Sequence, residues 1–157
     1  MTDFSALYKK YAPDVFRFAL YLSGNRSQAE DITSETFVRA WTSPEPIAAA
    51  TVKGYLFTIA RNLFSHGLRR ESRHDPLEGE LPGQQPSPYL QAEQKQELQA
   101  VLAGLQNLPE IDRAALLMRA LDGMAYEEIS RALGISLSSA KVKIHRARLA
   151  LAGIRHA

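Results

Sequence analysis

Large apolar residues recur at three- and four-residue spacing along nearly the whole chain. Strict alternation of apolar and polar residues is rare, its longest run being Ser139–His145 inside a stretch that otherwise reads as helix. Alternation is what a half-buried strand needs, whereas spacing of three and four puts side chains on one face of a helix. The chain is therefore expected to be all-α. Phe4, Leu7, Tyr8, Tyr11, Val15, Phe18 and Leu22 form the first stripe. Pro13 interrupts it. Proline lacks an N–H, so the pattern reads as two helices with Pro13 in the first turn of the second. Gly24-Asn25 ends that helix. Ser27-Gln28-Ala29-Glu30 has the form of a capping box, opening a helix to about Trp41. Residues 42–46 hold two prolines and read as a loop. The next helix is expected to start near Thr51 and run through Arg69, Arg70 and Arg73.

Residues 74–89, HDPLEGELPGQQPSPY, carry four prolines and few large apolar side chains. Such a segment is too polar to form a core and reads as a linker. Beyond it, Ala92–Asn107 is expected to be one helix, Pro109 opens a second, and Ala125–Ala152 contains two more. The expected architecture is two small helical domains, 1–73 and 92–157, joined by a flexible acidic linker at 74–91. In a chain of 157 residues, each half is near the size at which a single core is marginal.

The net charge of +2 hides an uneven distribution. Residues 1–73 balance at +3, residues 74–91 at −3 and residues 92–157 at +2. After Glu128 come Arg131, Lys141, Lys143, Arg146, Arg148 and Arg155 with no acid among them. A second basic run is Arg69, Arg70 and Arg73. Two basic patches on a nearly neutral chain point to a polyanion met at two places. Cysteine is absent, which excludes disulfides and thiolate metal sites and fits a reducing compartment. No apolar run approaches the ~20 residues that span a bilayer, and the first residues lack the form of a signal peptide. A cytoplasmic protein is expected.

Two helices carry candidate binding faces. Tyr126–Ser136 reads as helix, glycine turn and helix cap, with Gly134 in the turn and Ser136 as the cap. On the helix that follows, Ala140, Ile144, Ala147 and Leu151 share one face. Ser138, Ser139, Val142, His145 and Arg146 lie opposite, flanked by Lys141, Lys143 and Arg148. A small-polar start followed by basic residues suits a helix entering a major groove; the competing reading is a solvated basic helix in a bundle. From Tyr55 to Arg73, Leu56, Ile59, Ala60, Leu63, Phe64 and Gly67 face one way. Tyr55, Thr58, Asn62, Ser65, His66, Arg69 and Arg73 face the other. An aromatic ring, amides and hydroxyls followed by arginines suit stacking on unpaired bases while gripping phosphates. A polar surface with Tyr55 packed under the preceding loop fits the same pattern.

Three segments together resemble the sigma factors of bacterial RNA polymerase: QAEDITSETFVRAW (28–41), YLFTIARNLFSHGLRR (55–70) and the stretch 108–148 ending KVKIHRAR. The likeness is closest to the extracytoplasmic-function (ECF) group of the sigma-70 family. It implies that the helix bearing Glu30, Asp31, Ser34, Glu35 and Arg39 docks on core RNA polymerase. It implies that the 42–51 loop and Tyr55, Thr58, Arg61, Asn62, His66, Arg69, Arg70 and Arg73 read and open the start-proximal promoter element. Ser138, Ser139, Lys141, Val142, Lys143, His145, Arg146 and Arg148 would read the upstream element as duplex. An anti-sigma protein is a further partner implied by resemblance, and the acidic linker would run toward the RNA exit path. Ser34 stands where the family often has Gln, Tyr55 where it has Trp, and His66 where it has Asp.

Enzymatic readings find no support in the sequence. His66, His74, His145 and His156 share no metal-ligand spacing, and no HExxH, G-x-S-x-G or Walker-type loop occurs. No cofactor, metal or small-molecule substrate is expected. The alternative from another class is a stand-alone helix-turn-helix regulator that never touches polymerase. Such a protein has no need of the acidic helix and the aromatic-basic helix in the first half.

Overall fold

The computed structural model describes residues 3–42, 47, 49–67 and 88–155. Among them are seven helices and no strand: α1 (Phe4–Ser23), α2 (Arg26–Thr42), α3 (Val52–His66), α4 (Pro88–Gln106), α5 (Glu110–Asp122), α6 (Tyr126–Leu133) and α7 (Leu137–Arg155). The all-α expectation holds. Helix α1 packs along α2 and α3, and α5 packs along α7.

Three local expectations fail for identifiable reasons. Pro13 lies inside α1 rather than at the start of a second helix. It is exposed, and so is Lys9, whose carbonyl is the one deprived of an N–H partner and can turn to water. The helix is held on both sides of the proline. Tyr8 meets Phe37 edge-on at 5.0 Å, while Val15, Phe18, Ala19 and Leu22 are fully buried. Tertiary packing thus overrides a local breaker.

The cap of α2 is Asn25, not Ser27. Gly24 adopts φ 70°, a left-handed turn that ends α1. That turn leaves Asn25 buried, with its Oδ1 accepting from the Gln28 N–H at 2.7 Å. Glu30 reaches Arg26 at 3.8 Å instead of a capping position. The first helix of the second half starts at Pro88 rather than Ala92, with proline in the first turn where its missing N–H is harmless. Helix α2 runs to Thr42, one residue past the expected end. Helix α3 starts next to Thr51, as expected, with Thr51 as its cap, and ends at His66, with the Gly67 N–H on the Leu63 carbonyl. Its expected continuation through Arg69, Arg70 and Arg73 lies outside the described residues, as does the linker up to residue 87.

The two halves share one hydrophobic cluster. Phe18 and Phe57 stack at 4.4 Å in the first half; Met118, Ile129 and Ile144 are buried in the second, and the cluster is continuous between them. Helix α5 lies against both α1 and α3. Arg113 crosses this boundary: from α5 it donates to the Leu105 and Leu108 carbonyls at 2.8 and 3.1 Å, and to the Leu22 carbonyl of α1 at 2.6 Å. Gln106 donates to the Tyr21 carbonyl at 3.1 Å. Carbonyls at the end of α1 are thus satisfied from the opposite half, and those at the end of α4 from within their own.

Candidate nucleic-acid interface

In the second half, Gly134 at φ 67° closes α6, and the Ile135 N–H returns to the Ser130 carbonyl at 3.0 Å. Two residues on, Ser136 accepts from the Ser139 N–H at 3.1 Å and opens α7. This is the expected helix, glycine turn and cap. Ile129 and Leu133 of α6 are buried in the cluster that includes Ala140, Ile144 and Ala147 of α7. That burial fixes which side of α7 faces out. Ser138, Lys141, Val142, His145, Arg146 and Arg148 are exposed, and Ser139 and Lys143 are half-buried. Val142 is 57% exposed, an apolar side chain standing mostly open to solvent.

The basic residues of this face are anchored from below. The Arg146 Nε and Nη2 donate to Asp112 Oδ2 at 3.0 and 2.8 Å, and Lys143 Nζ lies 4.0 Å from Oδ1 of the same carboxylate. Asp112 is buried. It thus draws two long basic side chains toward one line along α7, while the Arg146 side chain keeps 57% of its surface exposed. Lys141 and Arg119 flank the Tyr126 ring at 5.8 and 4.6 Å from its centroid.

The α3 face has a different character. Tyr55 is half-buried against the core. Thr58, expected to face DNA, is buried and donates to the Gly54 carbonyl at 2.8 Å. Helix α3 is covered on more than one side, by α1 and α2 and also by α5, so a position on its polar stripe falls inside. Arg61 is held by Glu110 of α5 through two bonds, at 3.2 and 3.0 Å. Asn62 is half-buried and His66 exposed. Arg69, Arg70 and Arg73 lie outside the described residues.

On α2, Glu30, Asp31, Ser34 and Arg39 are exposed and Glu35 is half-buried, with Arg39 Nε on Glu35 Oε2 at 3.1 Å. Asp31, Ser34, Glu35 and Arg39 line a groove of about 750 Å³, whose other wall is Asn62, Leu63 and His66 of α3. The acidic face of α2 and the far end of the α3 stripe therefore border one depression. Among the described residues no group of histidines and acids is placed to hold a metal, and no helix is long and apolar enough to cross a membrane.

Sequence reasoning missed the acidic residues that engage α3. Besides Glu110, Glu128 of α6 is buried and accepts from the Ala50 N–H at 2.9 Å, and Asp122 accepts from Thr51 Oγ1 at 3.5 Å. Lys53 reaches Asp122 at 3.9 Å. Burial lifts the Asp122 carboxyl above its ordinary range; Lys53 and the Thr51 hydroxyl oppose this, and Glu128 and Asp14 add to it. The sequence signal for Glu128 was its place on the apolar side of the amphipathic α6, next to Ile129.

Comparison with known proteins agrees with this layout. The family model for sigma-70 region 2 matches residues 7–74, and that for sigma-70 region 4 matches residues 98–151. The ECF RNA polymerase sigma factor SigE of Mycolicibacterium smegmatis is 35% identical over 156 residues, covering 94% of this chain and 60% of that protein. This chain thus spans about three fifths of that relative's length. The ECF RNA polymerase sigma factor SigM of Bacillus subtilis is 33% identical over 144 residues, covering 90% of this chain and 88% of SigM. Among solved structures, the sigma factor RpoE in complex with the anti-sigma factor NepR, from Bartonella quintana, matches with a TM-score of 0.74 at 26% identity. The match covers 99% of this chain and 98% of that one.

Proposed function

Since the chain belongs to the ECF group of the sigma-70 family, we propose that it directs core RNA polymerase to specific promoters and helps open them. The observation that carries this reading is the pairing of region 2 at 7–74 with region 4 at 98–151 in one chain. The two matched regions support a division into an N-terminal domain at 1–73 and a C-terminal domain, with the linker expected at 74–91 ending where α4 begins, at Pro88. The chain does no chemistry itself; the polymerase makes and breaks the bonds, in the cytoplasm.

Three surfaces divide the work. The α2 face bearing Glu30, Asp31, Ser34, Glu35 and Arg39 docks on core polymerase. Four of these residues line one groove, which supports reading them as one contact. The segment from 42 through α3 opens the start-proximal element, with Tyr55 offering its ring to an unpaired base and Asn62, His66 and the arginines beyond α3 gripping the strand. The outward face of α7 meets the upstream element as duplex, where Val142 can pack on a thymine methyl and Lys143, Arg146 and Arg148 bind phosphates or guanine edges. A protein that masks the sigma factor, of the kind bound to the Bartonella relative, is a fourth partner.

Run-off transcription tests the reading. Core polymerase with this chain should initiate at a defined start on a matched promoter, and core alone should not. Equal output with and without the chain would reject it.

A further inference from the structure

A buried acid lies beneath the basic residues of α7. Asp112 stands in the first turn of α5, where the helix dipole favours an anion, and its side chain keeps 2% of its surface. Its Oδ2 accepts from both Nε and Nη2 of Arg146, at 3.0 and 2.8 Å, and its Oδ1 lies 4.0 Å from Lys143 Nζ. Burying a carboxylate costs free energy that its partners return only in part, and an apolar side chain of similar size often serves stability as well. Apolar packing is already supplied here: Leu117 and Met118 of α5 are buried in one cluster with Ile144 and Ala147 of α7. Stability alone therefore gives no reason for an acid at 112.

The two cations it holds sit on the face that the proposed function turns toward DNA. Lys143 keeps 24% of its side-chain surface and Arg146 57%. They are three residues apart, neighbours on the helix surface. Exposed Val142 stands next to Lys143 in the chain. Two long side chains that are free to swing follow phosphates wherever the helix settles. Two that are held by one carboxylate meet the backbone at fixed points. Phosphate contacts carry no sequence information, yet they set the register from which neighbouring side chains read the bases. The carboxylate also offsets one of the two positive charges, which lowers the attraction that all sequences receive alike.

We propose that Asp112 is a positioning residue that determines specificity for the upstream promoter element. From beneath α7 it fixes Arg146 and Lys143 against the DNA backbone and offsets part of their charge. The helix thereby gives up general affinity for DNA and gains discrimination between sequences. Asp112 acts through the two cations and touches no DNA itself. This inference rests on the sigma reading, since it assigns a role beneath the face that reading places on the upstream element.

Asp112→Asn keeps the shape of the side chain and removes its charge. Asp112→Leu replaces it with an apolar group and serves if the amide disturbs folding. Circular dichroism and urea unfolding check that each variant is folded. Removing either cation leaves the other held, whereas removing the carboxylate frees both. Holoenzyme made from core polymerase and each chain is used to transcribe a library in which every base pair of the upstream element is varied in turn. The ratio of output between matched and mismatched elements should fall at least about threefold in either variant, with output from mismatched promoters maintained or raised. Binding of the same holoenzymes to a matched fragment should become more salt-dependent, the slope of log affinity against log salt steepening by about 0.9, the equivalent of one further phosphate neutralised. Unchanged discrimination in a folded variant would overturn the inference. So would an equal loss at every promoter, which marks a residue that only supports the fold. No start-specific transcript from the unsubstituted chain would instead remove the sigma reading itself.

Discussion

Helices α3 and α7 both carry residues proposed to meet nucleic acid, yet their surroundings are opposite. The outward face of α7 is exposed, and its basic groups are set in place from within its own half by Asp112. The polar side of α3 is drawn inward: Thr58 is buried, Arg61 is clasped by Glu110, and the residues before the helix are held by Glu128 and Asp122. The outward face of α7 is open as it stands, whereas α3 is engaged by the rest of the molecule. Under the proposed function the targets differ too: α7 would meet the outer surface of a duplex, and α3 would meet bases that are unpaired only once a promoter has begun to open.

The contrast breaks first at Arg113. This buried guanidinium satisfies carbonyls at Leu22, Leu105 and Leu108 and so ties the two halves together. In Arg113→Met three charged donations are lost; Leu22 keeps Gln106 at 3.3 Å and Leu105 keeps the Leu108 N–H at 3.0 Å, while the Leu108 carbonyl loses its guanidinium donor. Losing these bonds should cost on the order of 3 kcal/mol. Urea unfolding should show a lower midpoint for the whole chain; an unchanged midpoint would mean that the halves do not depend on this contact.

Tyr55 sharpens the contrast from the α3 side. Its ring is half-buried against the core, so Tyr55→Leu keeps apolar packing while removing the stacking face. Base stacking contributes roughly 1–3 kcal/mol. Transcription from a duplex promoter should fall by that amount, and a template already melted at the start site should recover most of it. Failure of the melted template to recover would make Tyr55 a packing residue only.

Arg146 sharpens it from the α7 side. One edge of its guanidinium, Nε and Nη2, is taken by Asp112. A side chain held this way suits a phosphate contact better than a two-pronged guanine contact. Arg146→Ala should therefore weaken binding to every sequence of a promoter library by a similar factor, about 1–1.5 kcal/mol. A changed preference at one base pair would assign it to base reading instead.

The smallest effect is at the joint between the halves. Asp122 binds its proton more tightly in the folded protein than an ordinary carboxyl with a value of 3.8, chiefly because it is buried. Lys53 and Thr51 oppose this, and Glu128 and Asp14 favour it. The stability it contributes is complete below the unfolded value and is lost as pH rises through the folded one. Asp122→Asn should remove that part of the loss of stability between acid and neutral pH, and should raise the melting temperature slightly at pH 7. A parallel pair of stability–pH curves would contradict the shift.

The helices were legible because their signals are local. Gly134 and Ser136 mark the turn and cap of the second half, and the 140, 144 and 147 spacing picks out its buried face. Pro13 and Ser27 misled for the same reason in reverse: their local signals were real, but long-range packing of α1 and the turn at Gly24 decided the outcome. The exposed residues of α2 and α7 could be read from helical periodicity. The engagement of Thr58 and Arg61 could not. It depends on α5 lying against α3, and contacts such as Glu128 to Ala50, just before α3, span 78 positions with no trace in spacing.

The central claim is that one chain addresses polymerase to both promoter elements. The most direct test maps protection and strand opening on one matched promoter, with and without core polymerase. With core present, this chain should protect the upstream element from nuclease and make thymines near the start site reactive to permanganate, both at once. Protection of the upstream element by the chain alone, with no reactive thymines when core is added, would contradict the account and describe a helix-turn-helix regulator acting on duplex DNA by itself.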